Sequence, residues 1–346
     1  MSDSTWRVLV GDVREKLAEI PDASVQTCVT SPPYWGLRDY GMDGQLGLNG
    51  TPHGYARDMV DVFAAVRRVL RPDGTLWLNL GDSYQNAKGQ AGGVDPKQPA
   101  RRHGLRPQDV TVAGLKPKDL VGIPWRVAFA LQDDGWYLRA DIIWAKPNPM
   151  PESVNDRPTK AHEYLFLLAK SKRYYYDADA IRTPFSPSTL REFEDGYDGQ
   201  ATKDYAGAGA QNPSDVKARI IQRARDKQRG HGRRHAGFND RWDAMAKDEQ
   251  QMGGANCRSV WTIATQPYPD AHFATFPEAL PERCIKAGSR VGDTVLDPFT
   301  GSGTTGKVAV SLARHFIGIE LNPAYVTLAR RRIGSVSPLF TAEATA

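Results

Sequence analysis

Two short stretches of this chain combine residue types that could carry chemistry. The first, Ser31-Pro32-Pro33-Tyr34, follows a β-prone run from Val25 to Thr30. Two successive prolines cannot continue a strand ladder, so the run must end there and display its side chains just past the strand end. The second is Asp297-Pro-Phe-Thr-Gly-Ser-Gly-Thr-Thr305, between a strand end and a helix start. Gly301 and Gly303 allow the backbone to turn tightly and approach a ligand closely. Glu320 closes the next strand, 19 residues after Gly301. A carboxylate at that position of a βαβ unit accepts hydrogen bonds from ribose hydroxyls, so the spacing points to an adenosine-type ligand.

A competing reading is a phosphate-binding loop, because Gly301-Ser-Gly-Thr-Thr-Gly306-Lys307-Val308 nearly fits G-x-x-x-x-G-K-[S/T]. Val308 lacks the hydroxyl that would coordinate Mg²⁺, and Asp297 ahead of the glycines would repel phosphates while suiting a cationic ligand. A glycine-rich turn can also be purely structural, and a double proline can be no more than a rigid turn.

Taken together, the two stretches resemble the motifs of S-adenosylmethionine-dependent DNA amino-methyltransferases. Thr30-Ser31-Pro32-Pro33-Tyr34-Trp35 is similar to the cytosine-N4 branch, whereas adenine-N6 enzymes more often carry Asp at the position of Ser31. The catalytic motif precedes the cofactor motif, the order of the β group. The resemblance implies a doubly wound α/β sheet, S-adenosylmethionine as cofactor, and methylation of the N4 amine of a cytosine flipped out of duplex DNA, with adenine N6 the nearest alternative. Ser31, Pro32, Pro33 and Tyr34 would form the catalytic corner, Tyr34 and Trp35 stacking on the extruded base. Asp12 would lie near the adenine, Glu320 on the ribose and Asp297 near the methionyl moiety. Phe299, Gly301, Gly303, Thr304, Thr305 and Asn322 would complete the cofactor site, with Phe276 packing over it from His272-Phe-Ala-Thr-Phe276-Pro277. Asp82 would border the pocket or cap a helix. Lys146, Asn148 and Arg157 would serve the target strand.

The elements needed to hold these groups are legible in the periodicity. Arg7 to Val10 reads as a strand ending at Gly11-Asp12, followed by helical spacing of Val13, Leu17 and Ile20. A helix is expected from about Tyr55 to Leu70, then a turn at Pro72-Asp73-Gly74 and a strand from Thr75 to Leu80. A further helix follows near Leu120 to Gln132, then strands at Tyr137 to Trp144 and Tyr164 to Ala169. The C-terminal part reads helix Pro277 to Ala287, strand Thr294 to Leu296, helix Gly306 to Ala313, strand Phe316 to Glu320 and helix Pro323 to Ile333. Alternation of strand and helix argues for a parallel sheet.

The 346 residues allow two domains, or one large domain with insertions. Catalytic residues 1–184 and cofactor-binding residues 259–334 are expected to build one methyltransferase domain, with a loop at 85–118, an insertion at 185–258 and a tail at 335–346. Lys+Arg 45 against Asp+Glu 40 gives only +5, but the excess is concentrated. Arg101 and Arg102 lie in the loop; Arg223, Arg225, Arg233 and Arg234 lie in the insertion, where Asp226 is the near opposing acid. Such a run can be a solvated face; beside methyltransferase motifs it is read as target recognition, gripping the phosphates of double-stranded DNA.

Cys28, Cys257 and Cys284 are too few and scattered for a disulfide framework or metal knuckle, and none follows proline as a C5-methylating thiolate would. His231 and His235 lack cysteines at ligand spacing, so no metal is assigned. No apolar run reaches the ~18 residues of a membrane span. With no secretory signature in Met1 to Trp6, a cytoplasmic location is expected. A cognate restriction endonuclease is a possible partner, and the sequence leaves the oligomeric state open.

Overall fold

A computed structural model describes residues 4–37, 42–48, 50–85, 112, 114–185, 254–266 and 276–336, and the backbone of 341–343. The chain divides into two compact units, residues 1–177 with 258–346, and residues 178–257. Within the second unit, the described segments pair through Thr183 and Ala255, each N–H donating to the other's carbonyl. The elements below belong to the first unit.

Its described strands form one sheet: β1 (Ser4–Val10), β2 (Val25–Thr30), β3 (Leu70–Leu80), β4 (Tyr137–Ala145), β5 (His162–Ala169), β6 (Val260–Thr262), β7 (Thr294–Asp297), β8 (His315–Glu320) and β9 (Thr341–Glu343). Their spatial order is β6-β4-β5-β3-β2-β7-β8-β1-β9. Strand β2 is buried along its whole length at the centre, as expected for a strand with sheet on both sides and helices on both faces. It pairs in parallel with β3 on one side and β7 on the other. The N-terminal and C-terminal halves of the chain therefore meet at the β2/β7 seam.

Helices α1 (Val13–Ala18), α2 (Pro52–Val69), α3 (Ile123–Asp133), α4 (Ala279–Gly288), α5 (Thr304–Ser311) and α6 (Pro323–Gly334) connect and cover the strands. In α2, Thr51 caps the first turn by accepting from Gly54 N–H at 3.0 Å, with Pro52 at the position that tolerates a missing donor. Tyr55, Met59, Val62, Val66 and Val69 then fall on its buried stripe.

Four features depart from the sequence expectation. Among the described strands β5 runs antiparallel to both neighbours, because 146–161 contains no crossover helix and consecutive strands can then pair directly. Pro72-Asp73-Gly74 is not a turn before a strand. It bulges within β3, where the pairing steps from Val25–Leu70 to Thr27–Thr75. Helix α3 starts at Ile123 because Gly122 takes a left-handed conformation and Asp82, from beyond β3, accepts the Gly122 and Ile123 N–H groups. Within the expected tail, residues 341–343 pair with the edge of β1 as β9, which satisfies backbone groups that an edge strand leaves open.

Gly303 caps α5 at φ +81°, and a Cβ there would lie 2.9 Å from Ala329 Cα on α6. Gly303→Ala is expected to cost ~1–3 kcal/mol, from left-handed strain plus overpacking. Urea unfolding checks this, and an unchanged midpoint would refute it.

Candidate active site

The carboxyl ends of β1, β2, β3, β4, β7 and β8 converge on a cavity of about 420 Å³, within the usual range for small-molecule sites. Because β5 is reversed, it delivers its first residues, His162 and Glu163, to the same edge.

Ser31, Pro32, Pro33 and Tyr34 line this cavity, as do Asp12, Phe276, Asp297, Phe299, Gly301, Thr304, Glu320 and Asn322. The two sequence motifs are joined directly: Thr30 Oγ1 donates to Asp297 Oδ1 at 2.6 Å across the seam, and Thr305 Oγ1 donates to the Val29 carbonyl at 3.3 Å. Thr305 is fully buried and Gly303 packs on α6, so these two support the loop from behind and do not line the cavity. Trp35 departs further from expectation. Its indole is fully buried in the core with Leu46 and Tyr55, which removes it as a stacking platform. The chain turns immediately after the prolines, drawing the indole inward and leaving Tyr34 at the cavity.

The glycine loop is shaped by its own chain. Glu320 accepts from Gly301 N–H at 2.8 Å and from Asn322 N–H at 2.9 Å, one bond to each carboxylate oxygen. Burial pushes its carboxyl up, while these backbone bonds oppose the shift. From α6, Arg332 donates to Ser302 Oγ at 2.7 Å. A Cβ on Gly301 would meet nothing nearer than the Phe299 carbonyl at 3.9 Å, so its bare face is open where it lines the cavity. Asp12 caps α1 and pairs with Arg14, whose hydrogen bond holds its carboxyl below the usual range. Asp12, Asp297 and Glu320, with apolar Phe299, Phe276 and Ile319 in the same lining, suit a ligand bearing positive charge, ribose hydroxyls and a flat ring.

Lys307, the lysine of the near-phosphate-loop pattern, pairs with Glu278 at 2.7 Å, and Gly306 lies inside α5 against Ile333 and Phe316. That geometry does not present a lysine to a triphosphate.

Opposite the carboxylates lie groups the sequence reading did not assign. Glu163 pairs with Lys146 and accepts from the Tyr34 hydroxyl at 2.7 Å. Lys160 donates to the Asp82 carbonyl at 2.7 Å, and burial lowers its pKa. No motif marks these residues; only the reversal of β5 brings Glu163 beside Tyr34. The side chains expected at the target strand are committed internally: Arg157 to Glu152 at 2.6 Å and over the Tyr84 ring, Asn148 to Thr265, Lys146 to Glu163. Arg101, Arg102, Arg223, Arg225, Arg233 and Arg234, and also His231 and His235, lie outside the described residues.

A family model described as DNA methylase matches residues 25–331. The Type II methyltransferase M.SmaI of Serratia marcescens is 44% identical over 327 residues, 94% of this chain and 90% of that protein. M.Cfr9I of Citrobacter freundii is 43% identical over 323 residues, covering 93% and 86%. Among solved structures, the cytosine-N4-specific PvuII DNA methyltransferase aligns with TM-score 0.58 at 19% identity, over 98% of this chain and 92% of that one. A DNA modification methylase of Thermus thermophilus, complexed with S-adenosyl-L-methionine, aligns with TM-score 0.54 at 24% identity, over 98% and 99%.

Asp297 is 2% exposed, and burial pushes its carboxyl from 3.8 up to about 6 despite hydrogen bonds from the Thr30 hydroxyl and the Phe299 N–H. A carboxyl raised in the folded state favours folding fully below its unfolded pKa, and that contribution is lost as pH rises through about 6. Asp297→Asn removes the titration, so its unfolding free energy relative to the native protein should rise by ~1 kcal/mol between about pH 5 and about pH 7. Denaturant titrations at both pH values measure this; a constant difference would refute it.

Proposed function

The chain belongs to the N6/N4 DNA methylase family and is a site-specific Type II DNA methyltransferase, and from that premise we propose that it methylates the N4 amine of a cytosine flipped out of duplex DNA. The observation that carries the reading is that Ser31 and Gly301 line one cavity. The choice of cytosine is supported by Ser, in place of Asp, at the head of Ser31-Pro32-Pro33-Tyr34.

The exocyclic amine is a poor nucleophile because its lone pair is delocalised into the ring. Ser31 Oγ and the Pro32 carbonyl accept its two N–H bonds, so the nitrogen pyramidalises and its lone pair turns away from the ring. The proline ring of Pro33 stiffens the corner that presents both acceptors. S-adenosylmethionine, when bound, supplies a methyl group made electrophilic by its sulfonium. The Glu320 carboxylate takes the ribose hydroxyls, Asp12 lies toward the adenine, and Phe276 and Phe299 supply apolar walls. Asp297 keeps negative charge beneath the glycine loop, favourable to a cationic ligand. No covalent enzyme intermediate is needed.

A paired base cannot reach such a cavity, so the target must leave the stack at a cost of a few kcal/mol, offset in part by stacking on Tyr34. Residues 185–258, with Arg223, Arg225, Arg233 and Arg234, form the recognition insertion in this reading, and Arg101 and Arg102 add phosphate contacts. A restriction endonuclease cutting the same sequence is the partner that Type II membership implies.

Nucleosides from DNA methylated by the purified protein are expected to contain N4-methylcytosine by mass spectrometry. N6-methyladenine alone would overturn the choice of base. Ser31→Ala is expected to lower transfer by ~10²-fold or more with cofactor binding kept. Glu320→Ala should weaken S-adenosylhomocysteine binding by ~10-fold or more in calorimetry, the loss of charge-assisted hydrogen bonds. Full activity of either variant would refute the role assigned to that residue.

A further inference from the structure

The hydroxyl of Tyr34 is tied more firmly than a stacking platform requires. It lies 2.7 Å from Glu163 Oε2, 3.3 Å from Ser31 Oγ and 3.4 Å from Asn79 Oδ1. A carboxylate accepts and cannot donate, so the phenol proton goes to Glu163 and the phenol oxygen is left to accept the Ser31 proton. Glu163 is itself fixed, by the Lys146 ammonium on one oxygen and by Asn79 Nδ2 at 3.2 Å on the other. Asn79 also donates to the Tyr164 carbonyl at 3.0 Å, which orients its amide with the oxygen toward Tyr34. The Lys146 ammonium sits 4.3 Å from the centre of the Trp144 ring, a second anchor.

The chain of bonds therefore has one polarity. Ser31 donates to Tyr34, Tyr34 donates to Glu163, and Lys146 and Asn79 donate to Glu163. Both hydroxyl protons point toward the carboxylate, and the lone pairs of Ser31 remain as acceptors at the cavity. The ring is also held sideways: a Cβ on Gly81 would collide with Tyr34 Cε2, so glycine at the end of β3 is what lets the ring lie there. Burial and the nearby Glu163 charge push the Tyr34 phenol well above its ordinary range, consistent with a hydroxyl that keeps its proton and donates it.

We propose that Glu163 is a positioning residue for methyl transfer, acting through the Tyr34 hydroxyl to hold Ser31 as a hydrogen-bond acceptor toward the target amine. The inference rests on the methyl-transfer reading above and deepens it. It gives the reversal of β5 a chemical consequence, because an antiparallel strand contributes its N-terminal end to a site otherwise built from carboxyl ends.

The test is a double-mutant cycle on the full-length protein with duplex DNA and S-adenosylmethionine, using Glu163→Gln, Tyr34→Phe and both together. Glutamine keeps the shape but offers N–H where a carboxylate oxygen stood; phenylalanine keeps the ring but removes the relay. Each single variant is expected to lower kcat ~10-fold or more with KM for DNA and cofactor within ~2-fold, as for an interaction that acts on the chemical step. The double variant should be no slower than the slower single one, because both cut the same chain. A Glu163→Gln kcat within ~2-fold of the native value, or a double variant whose loss is the product of the single losses, would overturn the proposal. Thermal unfolding and S-adenosylhomocysteine binding are measured on every variant. If Glu163→Gln is unfolded, Glu163→Asp takes its place in the cycle, since it keeps the charge but withdraws it from the phenol, and the same two outcomes decide. A native protein that transfers no methyl group would overturn the methyl-transfer reading itself, before any variant is compared.

Discussion

Between the ends of β2 and β7 lies the hydrogen bond from Thr30 to Asp297, buried and 267 residues apart in sequence. It connects the last residue before Ser31 to the acid that opens the glycine loop. The strands beneath it pair in fixed register, Thr27 with Val295 and Cys28 with Leu296. A slip of one residue would turn every side chain of β2 to the opposite face and separate the two motifs. Burying an acid there is costly, as the elevated carboxyl of Asp297 records. The cost is offset by donors from both halves of the chain, the Thr30 hydroxyl and the Phe299 N–H.

The cavity built on this seam carries both signs of charge. Carboxylates of Asp12, Asp297 and Glu320 stand on the side of β1, β7 and β8, while on the side of β3, β4 and β5 the lysines Lys146 and Lys160 stand among Asp82, Glu152 and Glu163. The side without lysines suits the cationic methyl donor of the family. Neither lysine is a loose surface charge: one is paired with Glu163, and the other donates to the Asp82 carbonyl. Asp82 in turn caps α3, so the helix over this half of the sheet is anchored at the cavity wall.

Glycines at this site act in two ways. Gly301 is bare toward the cavity, where a backbone must approach a ligand, whereas Gly303, Gly306 and Gly81 are bare toward the protein, where Ala329, Phe316 and Tyr34 need the room. The same residue type in one motif thus faces the cavity at one position and packs against a helix two residues later.

Much of this was written locally. The double proline ended β2 where it ends, the glycine pair opened α5, and the 3.6-residue stripe of α2 matched its buried face, because strand termination, turn conformation and amphipathic burial depend on neighbours in sequence. The tertiary structure decided what depends on distant partners. Trp35 went to the core, in one buried cluster with Leu46 and Tyr55, and Tyr34 to the cavity, although the two are adjacent and both aromatic. Likewise Thr305 supports the loop from behind while Thr304 lines the cavity. Glu163 carried no signal at all: a glutamate just ahead of the apolar run Tyr164 to Ala169 looks like any flanking charge until the direction of β5 is known. That direction is set by pairing with β3 and β4 across tens of residues, a competition among long-range contacts that no local pattern records.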